Sequence, residues 1–238
     1  MIKEAIDRIL ELSIPSLHIL NGREYCDRNL SPIKSPSEHL AKAVIFRSLK
    51  GFCEFVIENF DYEDGDEDFV QVAGPYEVLF LDKLDDLQQR QTWAKAVYES
   101  KHFQFGAWMA LDEFIVSLDT MFVPSPKIEN LKDLLGHIAN ENIKTHTDDG
   151  FSQSIQIKTG ITTKAEVKIE NPIMLRPYRT FREIDQPEVP CLLRLKAKEG
   201  NVSCALWSAD GGMWELEAIK AIGEYLRKDL PETIKVLA

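Results

Sequence analysis

Most of the signatures that would name a chemistry are missing from this chain. Its four cysteines, at 26, 53, 191 and 204, form no CxxC pair, and its five histidines, at 18, 39, 102, 137 and 146, show neither HExxH nor a zinc-like pairing with them. Neither a structural metal nor a cofactor is expected. Cys53, Cys191 and Cys204 each sit inside an apolar run, as buried free thiols do. Ser203, Ser208, Cys191 and Cys204 lie in no GxSxG elbow, and no histidine is linked to them in sequence. No apolar run approaches the roughly 18 residues of a membrane span. The first eight residues carry Lys3, Glu4 and Asp7 where a signal peptide needs an apolar stretch. A cytoplasmic protein with no membrane partner is the expectation. Basic residues are also short, 28 against 39 acidic ones, and the formal charge of -11 opposes non-specific attachment to phosphate backbones. There is no internal repeat and no low-complexity segment.

What is present is enough apolar material, 44% of 238 residues, for a substantial core without staples. Ile2, Ile6, Ile9, Leu10 and Leu12 fall at helical spacing, and the following stretch to residue 38 is rich in proline, serine and an Asn21-Gly22 turn. Residues 1–39 therefore read as a helix and a loosely held arm, and 40–238 as the core domain.

In that core, a strand at 41–47 is followed by a helix from an N-cap at Ser48 to about Phe60. Two strands, 69–72 and 77–81, flank Gly74-Pro75 as a hairpin, with 92–98 as a third. Helices follow at 108–121 and 128–138. Strands at 143–147, 154–158 and 163–169 form a meander, and 189–197 and 201–207 a further pair. A helix at 213–227 and a strand at 233–237 complete the chain. This unevenly segregated order predicts an α+β fold, largely an antiparallel twisted sheet with helices packed mainly on one side.

Charge is unevenly placed. Residues 54–86 hold twelve acidic side chains against one lysine, whereas 164–198 hold eight basic against five acidic. Such polarity either stacks copies head to tail, presents a local anion site, or marks solvated faces. Within the basic region, Arg176, Arg179 and Arg182 recur every three residues, and Pro177 and Pro187 bias the backbone there toward extended or polyproline II geometry. Polyproline II geometry would set them on one side, whereas a flat strand would turn Arg179 away from the other two. Arginine offers a planar fork of donors to carboxylate or phosphate, and Tyr178 and Phe181 would flank such a ligand. The competing reading pairs these arginines with Glu183, Asp185 or the acidic segment. Thr180 and Glu183 also fit a capping box, with room for one helical turn.

Two weaker clusters stand beside it. His146, Asp148 and Asp149 offer imidazole and carboxylates to a divalent ion, although Asp149-Gly150 is also an ordinary turn. Ser208 to Gly212 precedes a helix and would gather backbone N–H groups, without a P-loop lysine or GxGxxG spacing.

Phe105-Gly-Ala-Trp108 leading into Asp112-Glu-Phe114, then Leu175 to Glu183, then Ala209-Asp-Gly-Gly-Met-Trp214, resemble the YfdQ-like proteins of bacteriophages and prophages. The resemblance runs from about Leu40 onward. It implies a phage or prophage origin in a bacterial cytoplasm; that family has no established function and no catalytic residues to carry across. A non-enzymatic binding protein, a homo-oligomer capturing a small anion or a host protein through the arginine segment, is the first expectation. Sequestering a nucleotide signal in counter-defence is one version of it. A metal-dependent enzyme of phage nucleotide or nucleic-acid metabolism using His146, Asp148 and Asp149 is the second. An accessory factor in phage recombination or replication, acting through a protein partner on its acidic face, is the third.

Overall fold

In the computed structural model, the residues described are 2–13, 15, 17–20, 23–26, 42–60, 68–84, 89–139, 142–148, 153–159, 163–169, 171–198 and 201–238. Of these, 2, 9–13, 17, 20, 23–24, 139, 142–148, 153–159, 163–168 and 197–198 are described by backbone alone. The chain divides into two compact units, Met1–Ala41 and Lys42–Ala238. The first contains the expected amphipathic helix, α1 (Ile2–Ser13), and a short antiparallel hairpin of β1 (Leu17–Leu20) and β2 (Arg23–Cys26) that the proline-rich composition concealed.

The second unit is α+β with antiparallel-rich sheets, and its strands are shared among several sheets. Its first lobe is a five-stranded sheet. The antiparallel centre consists of β4 (Phe69–Gly74), β5 (Glu77–Leu84) and β6 (Arg90–Val97). Two short edge strands lie parallel to it: β3 (Val44–Phe46) beside β6, and β14 (Lys235–Leu237) beside β4. Period-two alternation turns Val70, Val72, Val78, Phe80, Ala94 and Ala96 inward. Against them packs α2 (Leu49–Asn59), whose Leu49, Phe52, Cys53 and Val56 share one helical face. Ser48 caps α2 as its sequence position predicts, its hydroxyl accepting from Gly51 N at 3.3 Å.

The second lobe is a four-stranded antiparallel sheet in the order β11 (Ile173–Leu175), β12 (Val189–Lys198), β13 (Asn201–Ser208), β7 (Met109–Ala110). Cys191, Leu193 and Leu195 of β12 and Cys204 and Leu206 of β13 bury one face against α3 (Leu111–Met121) and α4 (Pro126–Ala139). The predicted meander is a separate three-stranded antiparallel sheet of β8 (Asn142–Asp148), β9 (Gln153–Thr159) and β10 (Thr163–Ile169), whose last residue, Ile169, enters this core.

Helix α5 (Met213–Asp229) belongs to both lobes: Trp214 and Ala218 are buried in the second, and Ile222 and Leu226 in the first. The stretch after β11 also crosses between them. It leaves α3 through a bridge between Pro177 and Phe122 and the bond from Tyr178 N to Met121 O at 2.9 Å, and then drives Phe181 and Ile184 into the first core. Among the described residues no helix is long and apolar enough to cross a membrane.

Candidate functional site

The crossing segment shows why its three arginines part company. Gln186, buried at its end, accepts from the backbone N–H groups of Arg179 (2.9 Å) and Thr180 (3.2 Å), and donates to Phe181 O (2.8 Å) and Ile184 O (3.3 Å). This closes a tight turn, and the buried Thr180 hydroxyl ties it to the β4–β5 turn by donating to Pro75 O. No continuous polyproline II rod survives, so the three-residue period does not set one side.

Arg176 is exposed and lines a cavity of about 330 Å³ with Met174, Lys127 and Glu188, the last two joined by an ion pair at 2.9 Å. Arg182 is also exposed, with its guanidinium carbon 3.6 Å from the centroid of the Tyr178 ring. Phe181 is fully buried beside Tyr98, with ring centroids 5.8 Å apart, and is out of a ligand's reach. Arg179 alone turns into a cleft where the lobes meet. The structure thus separates the five expected ligand-binding residues, and only Arg179 lines that cleft. Nor does the capping box form: Glu183 instead accepts from Leu49 N at 2.8 Å, covering the first turn of α2, which is remote in sequence.

The cleft has a volume of about 340 Å³. Arg179 is 8% exposed, and its guanidinium carbon lies over the rings of Phe105 (4.2 Å) and Trp214 (4.8 Å). None of the three arginines is ion-paired among the described residues, so pairing with Glu183 or Asp185 does not occur. Burial pulls Arg179 below its ordinary pKa, and the nearby Asp210 carboxylate is the largest opposing influence.

Tyr76, on the β4–β5 turn, contributes a ring 38% exposed, 5.5 Å from the His102 ring and 6.0 Å from Trp214. Burial, followed by the charge of Glu215, raises its phenol above the usual value. His102 also lines the cleft, and its Nδ1 is buried with no hydrogen-bond partner among the described residues, as is the hydroxyl of neighbouring Tyr98.

The opposite wall is the Ser208–Gly212 loop leading into α5. Asp210 accepts from the Ser208 hydroxyl at 2.7 Å and from Trp214 N at 3.1 Å, serving as the helix cap that Gly212 cannot provide. Burial alone would raise this carboxyl, but these hydrogen bonds outweigh it and hold Asp210 below the usual carboxylate range. Gly211 and Gly212 take φ of 63° and 89°, the left-handed region that glycine enters without steric cost.

Two segments that sequence reasoning treated apart, the arginine stretch and the loop before α5, therefore face each other. Phe105, Arg179 and Trp214 come from three stretches far apart in sequence, and all meet here. Tyr76 and His102 carried no functional signal in the sequence. The Gly74-Pro75 turn marks where Tyr76 stands, but nothing local marks His102. His146 and Asp148 lie on β8, whose side chains, with Asp149, are outside the described residues. So is the acidic stretch 61–67. Among the described residues no group of three His, Cys, Asp or Glu side chains is placed to hold a metal ion.

No protein-family model matches the chain, and neither a curated protein nor a solved structure is significantly similar to it.

Proposed function

We propose that this chain is a non-catalytic binding protein that holds a small anionic ligand in the cleft around Arg179. The single observation that carries this reading is an arginine with only 8% of its surface exposed, without an ion pair among the described residues, at the wall of an open cleft. Leaving a buried charge unpaired costs several kcal/mol. A cation–π contact returns about 0.5–2 kcal/mol, so the two rings over Arg179 offset only part of that cost. An incoming anion would supply the remainder. The YfdQ-like resemblance supports a phage or prophage setting, in which capturing an anionic host metabolite is a counter-defence role.

Isothermal titration calorimetry with inorganic phosphate, acetate and mononucleotides tests this reading. Heat is expected from at least one of them with the parent protein, and none with Arg179→Met, whose long apolar side chain still fills the space between the rings. Equal binding by both proteins, or no binding across the panel, would remove the proposal.

A further inference from the structure

The cleft around Arg179 also restricts what kind of anion enters, and on this we build a second step that rests on the binding role just proposed. Two rings occupy the space around the guanidinium carbon, at 4.2 and 4.8 Å, so a ligand meets Arg179 through its remaining N–H groups. That favours a group presenting two oxygens together, a carboxylate or a phosphodiester. The charge balance then limits the number of negative charges. Among the described residues Arg179 is the only Lys or Arg lining the cleft, whereas Asp210 is an anion on the facing loop and Glu215 acts on Arg179 from nearby. Asp210 is already engaged by Ser208 and Trp214, so it neither leaves nor accepts a cation readily. A polyphosphate would bring several charges to one cation in a chain of net charge -11. Tyr76, 38% exposed, lines the same cleft with its aromatic ring, and the volume of about 340 Å³ admits one ligand of nucleoside size.

We infer that the cleft selects a flat-ringed monoanion: one two-oxygen anionic group held by Arg179 and a planar ring lying against Tyr76. Heteroaromatic carboxylates and cyclic nucleotide phosphodiesters share this chemistry. Calorimetry on the full chain separates them with nicotinate in one arm and 3′,5′-cyclic AMP in the other, and with acetate, inorganic phosphate and ATP as references.

At least one ring monoanion should bind about tenfold or more tighter than acetate and ATP. Tyr76→Ala should remove about tenfold of that affinity, the scale of one aromatic stacking contact, while Tyr76→Phe keeps it. The Tyr76 backbone carbonyl accepts from Tyr98 N at 2.8 Å, and neither substitution touches that bond. ATP or phosphate binding as tightly as the ring monoanions, with loss in Arg179→Met, would overturn the selectivity and leave the anion site standing. Ring monoanions no tighter than acetate, or insensitive to Tyr76→Ala, would overturn it as well. Silence from every probe would end both.

Discussion

The two lobes of residues 42–238 are built on opposite plans. The four-stranded lobe is antiparallel throughout, with the β12–β13 hairpin at its centre, β11 at one edge and the distant β7 at the other. The five-stranded lobe is finished at both edges by distant strands, with Val44 beside Ala94 and Val236 beside Val70, and its core is completed by Phe181 and Ile184 from the crossing segment. The buried cluster of the four-stranded lobe includes neither Phe181 nor Ile184 of the crossing segment. The other depends on a segment that also carries the cleft's arginine, so shape and binding are coupled through it.

The largest break in that contrast should come from Phe181→Ala. Emptying this site removes a fully buried ring and should cost about 3–5 kcal/mol. Because the segment and α5 are shared, calorimetry should still give one transition at a lower temperature. Two resolved transitions would mean that the lobes unfold independently.

Gly106→Ala comes next. Gly106 sits at φ 77°, and an added Cβ would meet Trp207 Nε1 at 3.2 Å. The left-handed backbone alone penalises a side chain by about 1–2 kcal/mol. The melting point should fall, and binding with it, because Phe105 precedes this glycine.

Glu183→Ala should cost about 1 kcal/mol, the usual worth of a helix cap, by exposing Leu49 N. Hydrogen exchange should quicken in the first turn of α2 and remain unchanged in α3 and α4.

The smallest effects are in pH, and their signs differ between the lobes. Asp68, beside β4, is pushed up to about 6 from 3.8 by burial and by the Asp82 side chain. The folded state therefore binds this proton more tightly, so its contribution to stability is full below about pH 4 and is lost as pH rises through 6. Asp210 is held below the usual range, so its contribution is present at neutral pH and is lost only as pH falls through that lowered value. Asp68→Asn should flatten the stability profile between pH 4 and 6, and Asp210→Asn should flatten it below pH 4. The opposite pattern in denaturation curves would refute both assignments.

How far the sequence discloses this arrangement follows from the range of the forces involved. Periodicity over a few residues suffices for α2, α5, the β4–β5 hairpin and the meander, and each stands within a few residues of its expected bounds. Strands as short as β7 and β11 carry too few residues for a pattern. The pairing of β3 and β14 with the central strands joins residues far apart, which no local signal encodes. The same holds at the cleft. Arginine at 179 is legible as an anion-binding type, but its direction is decided by Gln186 and Pro75, and its neighbours Tyr76, His102 and Trp214 arrive from three other stretches.

The thiols divide usefully along the same line. Cys53 lies in one core and Cys191 and Cys204 in the other, each pushed up to about 12 by burial, whereas Cys26 on the N-terminal hairpin is only half-buried. An alkylating reagent at neutral pH will mark Cys26 first. Mass mapping of the later adducts then clocks the opening of each lobe separately, without any engineered reporter.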